Sequence, residues 1–242
     1  MIEKQVLPYE NQSTDYDIVI SGGGVVGCLT ALALATHTSF RILLLEAIDV
    51  GNKTTKKQTN KTRFDARVIA LSTQSLEILS SLGANIEDIA HQAIEQIHVS
   101  DKGHIGQVRL CAKDYGVEVL GKVVAIEALG ANLLSKIKAL GGAIEYRCPV
   151  KIEQALQTQT EVKLSLSDDT VVSSKLLIVS DGGQSKTASL VGMHNDVSSY
   201  EQTAIISNVK TQLAHNNIAY ERFTSQGPIA FLPMNEKNNN EG

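Results

Sequence analysis

Tryptophan is absent from this sequence, and all aromatic residues together make up only 4% of the chain. Four prolines and three cysteines occur among 242 residues. The cysteines are odd in number and far apart, without a CxxC pair or a Cys/His cluster, so the sequence predicts a reducing compartment and neither a disulfide framework nor a metal site. We expect all three thiols to be small buried side chains, namely Cys28, Cys111 and Cys148.

The sequence also lacks long apolar runs and a surplus of basic charge. Its apolar runs are shorter than the roughly 20 residues that cross a bilayer, and residues 1–16 contain no signal-peptide core. The net charge is −4 and the pI about 5.9, whereas nucleic-acid binding requires basic residues that offset phosphates. We therefore expect a cytoplasmic protein that does not bind nucleic acid, at most peripheral to the inner membrane.

What the chain does contain is 43% hydrophobic residues and 18 glycines, which suits an α/β protein with many tight turns. Two apolar runs typical of buried parallel strands, Tyr16–Ile20 and Phe40–Leu45, flank a helix-forming stretch at 28–35. Strand, turn, helix and strand within about thirty residues predict a right-handed βαβ unit.

A GxGxxG motif, Gly22, Gly24 and Gly27, lies between the first strand and this helix. The first glycine allows a tight turn, the second lets the backbone approach a pyrophosphate, and the third permits close helix–strand packing. The free N–H groups of the helix N-terminus, at Val25 and Val26, add to the phosphate site.

An acidic residue, Glu46, ends the second strand and is followed by Ala47. A carboxylate at this position accepts hydrogen bonds from ribose hydroxyls and repels a 2′-phosphate. The first nucleotide site is therefore predicted to bind FAD or NAD in preference to NADP.

Two further segments carry polar residues next to apolar runs. Arg67 opens the stretch 67–72, where it could reach a pyrophosphate or form an ordinary salt bridge. Asp181 follows the strand-like run 177–180 and precedes Gly182, where it could bind a ribityl hydroxyl or simply form a turn.

Elsewhere the patterns predict helices at 73–82 and 126–140, each followed by glycine. Strands are predicted at 94–100, 108–112, 143–147, 150–156, 161–167, 175–180 and 204–209, with further strands between 220 and 234.

These segments, in this order, resemble the FAD-dependent aromatic hydroxylases of the para-hydroxybenzoate hydroxylase class. Residues 65–72 and 221–234 are similar in particular to the ubiquinone-biosynthesis branch, which includes 2-polyprenyl-6-methoxyphenol hydroxylase. The similarity extends from Tyr16 to Met234. It implies an α/β fold: a Rossmann-like FAD-binding domain of three layers (ββα) at 15–82 and 104–192, with an inserted, mainly β substrate domain at 83–103 and 193–242.

The resemblance also implies roles for individual residues. The three motif glycines with Val25 and Val26 would hold the FAD pyrophosphate, and Glu46 with Ala47 the adenosine ribose. Arg67 would lie near the pyrophosphate and flavin, the Val150 backbone near the adenine, and Asp181 with Gly182 near the ribityl chain. The strand at 227–233 would form the floor of a substrate cavity.

The implied activity is that of a monooxygenase which uses FAD, NADPH or NADH, and O₂. Its substrate would be a small aromatic compound of ubiquinone biosynthesis, with or without a polyprenyl tail, and it could associate with a membrane or a biosynthetic complex. The six histidines show no metal-ligand spacing, only His98 is of catalytic interest, and the sequence identifies no catalytic base.

The chain departs from the family pattern at two points. Lys186 begins a segment where the family usually has an arginine, and no later Gly-Asp segment follows. We therefore expect the front part of such an enzyme. Two alternatives remain open: an FAD-dependent NAD(P)H reductase, for which a second GxGxxG is lacking, and an FAD-binding fragment or non-catalytic relative of Rab GDP-dissociation inhibitors.

Overall fold

The structure is a computed structural model that describes residues 15–49, 67–183, 185–194 and 196–235. Its helices and strands, in chain order, are β1 (Tyr16–Ser21), α1 (Val25–His37), β2 (Ile42–Leu45), β3 (Val68–Ser72), α2 (Thr73–Ser81), β4 (His91–Ile94), β5 (Gln96–Asp101), β6 (Gln107–Cys111), β7 (Gly121–Ala125), α3 (Ile126–Ala139), β8 (Ile144–Arg147), β9 (Ile152–Gln157), β10 (Val162–Leu166), β11 (Val171–Val179), α4 (Lys186–Leu190), β12 (Ile218–Phe223) and β13 (Ile229–Phe231).

The predicted βαβ unit is formed by β1, α1 and β2. The two strands pair in parallel, with Ile18 opposite Ile42 and Ser21 opposite Leu45. Every residue of β2 is buried, as expected of a parallel strand covered on both faces.

Six strands form the main sheet, in the order β8-β2-β1-β11-β10-β9. The first four are parallel, whereas β9, β10 and β11 form an antiparallel meander. The carboxyl ends of β1, β2 and β11 therefore meet at one edge of the sheet, the position where open α/β sheets bind ligands.

Alternate residues of the central strands supply two hydrophobic clusters. Ile20 and Leu44 pack with α1 and α3 on one face, whereas Val19, Leu43 and Leu164 belong to a second cluster. Successive side chains of a strand point to opposite faces, so one short apolar run serves both.

Two smaller antiparallel or mixed sheets complete the described part. One has the order β3-β7-β4 and the other β13-β12-β5-β6. The predicted strand at 204–209 is wrong, because residues 202–210 have no regular secondary structure. Strand propensity alone does not produce a strand without a neighbour to receive its backbone hydrogen bonds.

The domain division stays a prediction, but strand pairing changes the boundary that we propose. The boundary between 103 and 104 would cut the hairpin of β5 and β6, which pair antiparallel. Ala84 and Ile86 belong to the same hydrophobic cluster as Ile20. We propose that the second unit comprises 95–111 and 193–235.

Candidate cofactor site

The GxGxxG motif forms the turn between β1 and α1. Gly22 has φ +104°, and a Cβ at this residue would lie 2.5 Å from the carbonyl oxygen of Ser180 on the neighbouring strand. A Cβ on Gly27 would lie 1.8 Å from the Gly22 carbonyl oxygen. Both positions therefore require glycine because of contacts within the protein.

Gly24 differs from the other two glycines. Its backbone, with φ −70° and ψ −176°, is open to any residue. A Cβ there would have no heavy atom within 4 Å. The fold itself gives no reason for glycine here, and the open space fits the backbone approach of a pyrophosphate.

The N-terminus of α1 begins at this open space. The N-cap residue of α1 is Gly24, which has no side chain to cap the helix. The first turn carries no acidic residue either. The N–H groups of the first turn, at Val25 and Val26, are then available to an anion, and the helix dipole favours negative charge at this end. These features fit the diphosphate of FAD.

Glu46 lies directly against the glycine turn. Its Oε2 accepts a hydrogen bond from the Gly23 N–H at 2.9 Å, and its Oε1 accepts one from the Ile48 N–H at 2.8 Å. Two backbone donors thus hold the carboxylate at the end of β2. The Val150 N–H donates to the Glu46 carbonyl oxygen at 2.8 Å, so the Val150 backbone lies beside Glu46; its place near an adenine stays a prediction.

Gly23 and Tyr146 are neighbours of Glu46 that the motif did not indicate. A Cβ on Gly23 would lie 2.8 Å from Glu46 Cβ and 3.3 Å from Tyr146 Cε2. Burial raises the pKa of the Tyr146 phenol, with a further contribution from its hydrogen bond to Cys148. The motif leaves Gly23 unspecified, and only the register of β2 against β8 brings Tyr146 to this place.

Cys28 supports the turn from the helix side. Its thiol donates to the Gly23 carbonyl oxygen at 3.2 Å. Burial, and secondarily the charge of Glu46, raises its pKa to about 11. Of the three cysteines only Cys28 is buried, while Cys111 and Cys148 are half-buried, so the expectation of three buried thiols was correct for one.

Ser180 joins the end of β11 to the glycine turn. Its hydroxyl donates to the carbonyl oxygens of Ser21 at 2.8 Å and of Gly22 at 3.2 Å. The next residues, Asp181 and Gly182, are exposed, and a Cβ on Gly182 would meet nothing within 4 Å. Asp181 therefore directly follows Ser180, which is hydrogen-bonded to the glycine turn. The sequence did not predict this contact of Ser180.

The other two predicted cofactor-binding residues, Ala47 and Arg67, lie at the surface. Ala47 is exposed and follows Glu46. Arg67 is exposed, and its carbonyl oxygen accepts from the Ile126 N–H at 3.1 Å; its role at a flavin stays a prediction. Residues 65 and 66 of its motif lie outside the described residues.

His98 lies on β5 in the four-stranded sheet. Its Nε2 is 3.0 Å from Gln107 Oε1, and its ring centroid is 5.7 Å from that of Tyr220. It lines a cavity of about 430 Å³ together with Ser100 and Arg222. In the described part of the chain no group of His, Cys, Asp and Glu could hold a metal ion.

Known proteins give a consistent set of relatives. No protein-family model matches the chain. The human mitochondrial ubiquinone biosynthesis monooxygenase COQ6 is 30% identical over 245 aligned positions, which cover 94% of this chain. This chain is therefore similar, over nearly its whole length, to ubiquinone-biosynthesis monooxygenases. It spans about half the length of the curated relatives it matches, 51% of human COQ6.

Solved structures share the fold of this chain. PqsL of Pseudomonas aeruginosa superimposes with a TM-score of 0.67 over 90% of this chain and 57% of its own, at 17% identity. The p-nitrophenol 4-monooxygenase PnpA of Pseudomonas putida gives 0.57 over 73% of this chain and 43% of its own, at 20% identity. PqsL is described as a probable FAD-dependent monooxygenase. The predicted resemblance and fold class are confirmed.

In the ranges that the structure describes, no helix combines the length and apolarity needed to cross a bilayer.

Proposed function

We propose that this chain binds FAD at the turn between β1 and α1 and takes part in hydroxylating an aromatic intermediate of ubiquinone biosynthesis. The observation that carries the proposal is the open space at Gly24. It lies at the helix N-terminus, where the ends of β1, β2 and β11 bring Glu46 and Asp181 to the same turn.

Each residue has a role that its position supports. The first-turn N–H groups of α1 would bind the diphosphate, and the absence of a Cβ at Gly24 would allow its close approach. Glu46 has each carboxylate oxygen already oriented by one backbone N–H. Each oxygen retains acceptor capacity for the adenosine ribose hydroxyls. Asp181 and Gly182 would contact the ribityl side.

The chemistry of hydride acceptance and O₂ activation would come from the bound flavin. The residues of this chain would bind and orient it, which accounts for a site without a nucleophile–base pair. NADPH or NADH would be the electron donor, and the substrate a small phenol with or without a polyprenyl tail. Association with a membrane surface or with a biosynthetic complex belongs to the same proposal.

Flavin retention tests the proposal directly. The chain is incubated with excess FAD, desalted, and its visible spectrum recorded beside Gly24→Asp and the matched control Gly106→Asp. Gly106 also has open space around its Cβ position but lies in the β5–β6 hairpin. We expect flavin absorbance in the wild type and the Gly106 variant and loss in the Gly24 variant. Equal retention in all three proteins, or in none, would contradict the proposed site.

A cofactor-binding protein without turnover is the second candidate, because the chain spans only about half of human COQ6. Oxidation of NADPH or NADH by the flavin-loaded protein, with candidate phenols, separates the two. Substrate-stimulated oxidation supports the monooxygenase. Tight flavin binding without oxidation supports the second candidate.

A further inference from the structure

A buried hydrogen bond joins the end of β1 to α4. The hydroxyl oxygens of Ser21 and Thr187 are 2.9 Å apart, although 166 positions separate the two residues in the sequence. Both residues are buried, with 6% and 4% of their surface exposed. Buried hydroxyl groups need a partner, because the hydrogen bonds to water that they lose are otherwise not replaced. The two side chains therefore satisfy each other, and their bond fixes where α4 lies relative to β1.

Ser21 also holds the start of the loop that carries Asp181. The Ser180 N–H donates to the Ser21 carbonyl oxygen at 2.7 Å, and the Ser180 hydroxyl donates to the same oxygen at 2.8 Å. Ser21 is the last residue of β1 and directly precedes the glycine turn. It therefore contacts the chain on both sides of Asp181, through its carbonyl oxygen before this residue and through its hydroxyl after it.

The other end of this loop depends on α4. The Ser185 N–H donates to the Gly182 carbonyl oxygen at 3.1 Å, and the Ser185 hydroxyl caps α4 by accepting from the Ala188 N–H at 2.9 Å. A helix of five residues is not stable by itself, so its position depends on its buried residues, Thr187 and Ala188. Of these two, only Thr187 has a polar side chain, so its directional bond to Ser21 sets the position of the helix.

Neither hydroxyl group is exposed enough to contact a cofactor. The residues of the loop that are exposed are Asp181 and Gly182, the two to which the proposed function gives the ribityl side of FAD. Ser21 and Thr187 can therefore influence the cofactor only through the position of this loop. A loop whose two ends are held before the cofactor arrives binds it at a smaller entropic cost than a loop that must first be ordered.

We infer that Ser21 and Thr187 are positioning residues of the cofactor site, whose hydrogen bond holds the loop at Asp181 and Gly182 against the glycine turn. The inference rests on the proposed function and adds to it two residues that no sequence pattern indicates. The glycine turn and the loop at Asp181 are then one unit, assembled around Ser21 before FAD binds. Removal of either hydroxyl group releases the α4 side of the loop.

Amide hydrogen exchange in the chain without FAD tests the positioning. The variants are Ser21→Ala, Thr187→Val and their double variant. Both substitutions leave the Ser21 carbonyl oxygen and its bonds to Ser180 in place. We expect exchange of the Ser185 and Ala188 amides, followed by NMR, to become faster by about tenfold or more.

Two controls make the exchange result specific. Thr187→Ser keeps the hydroxyl group and should exchange like the wild type. Ser174→Ala should do the same, because Ser174 is a fully buried serine of β11 whose hydroxyl has no hydrogen-bond partner among the described residues. Urea denaturation of every variant confirms that it is folded. Where Ser21→Ala reduces the folded fraction, the comparison of Thr187→Val with Thr187→Ser carries the test.

Flavin fluorescence titration of the same proteins tests the consequence for the cofactor. We expect Ser21→Ala and Thr187→Val each to weaken FAD binding by about tenfold. The double variant should bind no more weakly than the weaker single variant, because both substitutions remove the same bond. Thr187→Ser and Ser174→Ala should keep the affinity of the wild type.

The outcomes separate this inference from the proposed function. Unchanged exchange at Ser185 and Ala188 would overturn the inference, as would losses of FAD affinity that add in the double variant. If the wild type binds FAD and the single variants bind it equally well, the hydrogen bond has a structural role only and the proposed function stands. A wild type that binds no FAD would refute the proposed function, and with it the role of these two residues at the cofactor.

Discussion

At the scale of single residues, glycine occupies the three motif positions for different physical reasons. Gly22 and Gly27 are packed against the protein's own backbone. A Cβ on Gly22 would overlap the backbone of Ser180, and a Cβ on Gly27 would overlap the backbone of Gly22. Gly24 faces open space. The motif therefore combines two folding requirements with the binding role that we propose for Gly24, and substitution by alanine separates them.

We predict that Gly27→Ala lowers the free energy of unfolding by about 1–3 kcal/mol or more, because the added methyl group overpacks the turn. Gly24→Ala should change it by no more than about 0.5 kcal/mol yet weaken FAD binding by about tenfold or more, equivalent to ~1.4 kcal/mol. Urea denaturation gives the stabilities, and flavin fluorescence titration gives the affinities. A stable Gly24→Ala protein with unchanged affinity would show that the pyrophosphate does not approach this glycine.

The three thiols provide a second prediction at this scale. The pKa of Cys28 is raised from 9.0 to about 11 by burial and by the nearby Glu46 carboxylate. Its thiolate fraction at pH 8 is then about a hundredfold below that of an ordinary thiol. We expect an alkylating reagent at pH 8 to label Cys111 and Cys148 first, as read by peptide mass spectrometry. Labelling of Cys28 at the same rate in the folded protein would contradict this placement.

At the scale of secondary-structure elements, side-chain hydrogen bonds stabilise β8, the edge strand of the main sheet. Among the strands of the described residues, β8 pairs with β2 and with no other. The Tyr16 hydroxyl donates to Glu145 Oε2 at 2.5 Å, and Arg147 Nε donates to Glu145 Oε1 at 2.7 Å. The hydrogen bond from Tyr16, followed by that from Arg147, lowers the pKa of Glu145.

This network predicts an acid-sensitive contribution to stability. The folded pKa of Glu145 lies below its ordinary value of 4.5. The contribution is therefore present above pH 4.5 and lost as the pH falls through the lower, folded value. We expect Glu145→Gln to reduce stability at pH 7 by on the order of 1 kcal/mol or less, because Glu145 itself is exposed to solvent.

Urea denaturation of both proteins from pH 7 to pH 3 measures the difference, which should narrow below pH 4.5. Glu153→Gln is the control, since Glu153 is an exposed partner of Lys151 at 3.3 Å and should show a smaller effect. A constant difference across the whole range would mean that the Glu145 charge does not contribute.

At the scale of the whole molecule, apolar side chains divide between a buried core and an exposed surface. Leu164 has 0% exposure, whereas Ile205 is 93% exposed. We predict that Leu164→Ala costs about 2–5 kcal/mol of unfolding free energy, whereas Ile205→Lys changes it by no more than about 0.5 kcal/mol. Thermal and urea unfolding of the chain alone check both. A large loss from Ile205→Lys would show that 204–209 packs within the isolated chain.

Sequence patterns alone predict the βαβ unit, its glycine turn and the acid at the end of β2. Those features depend on neighbours a few residues apart: an apolar strand, glycines at fixed spacing and a helix that follows at once. The sequence also predicts most helices and strands, because their periodic patterns are local. The family resemblance was carried by two contiguous motifs.

Tertiary structure alone decided which distant residues meet at the site. The bond from Gly23 to Glu46, the place of Tyr146 and the link from Ser180 to Gly22 follow from the parallel order of β8, β2, β1 and β11. The missing strand at 204–209 has the same origin. A strand exists only where another strand accepts its backbone hydrogen bonds, and no local pattern supplies that partner.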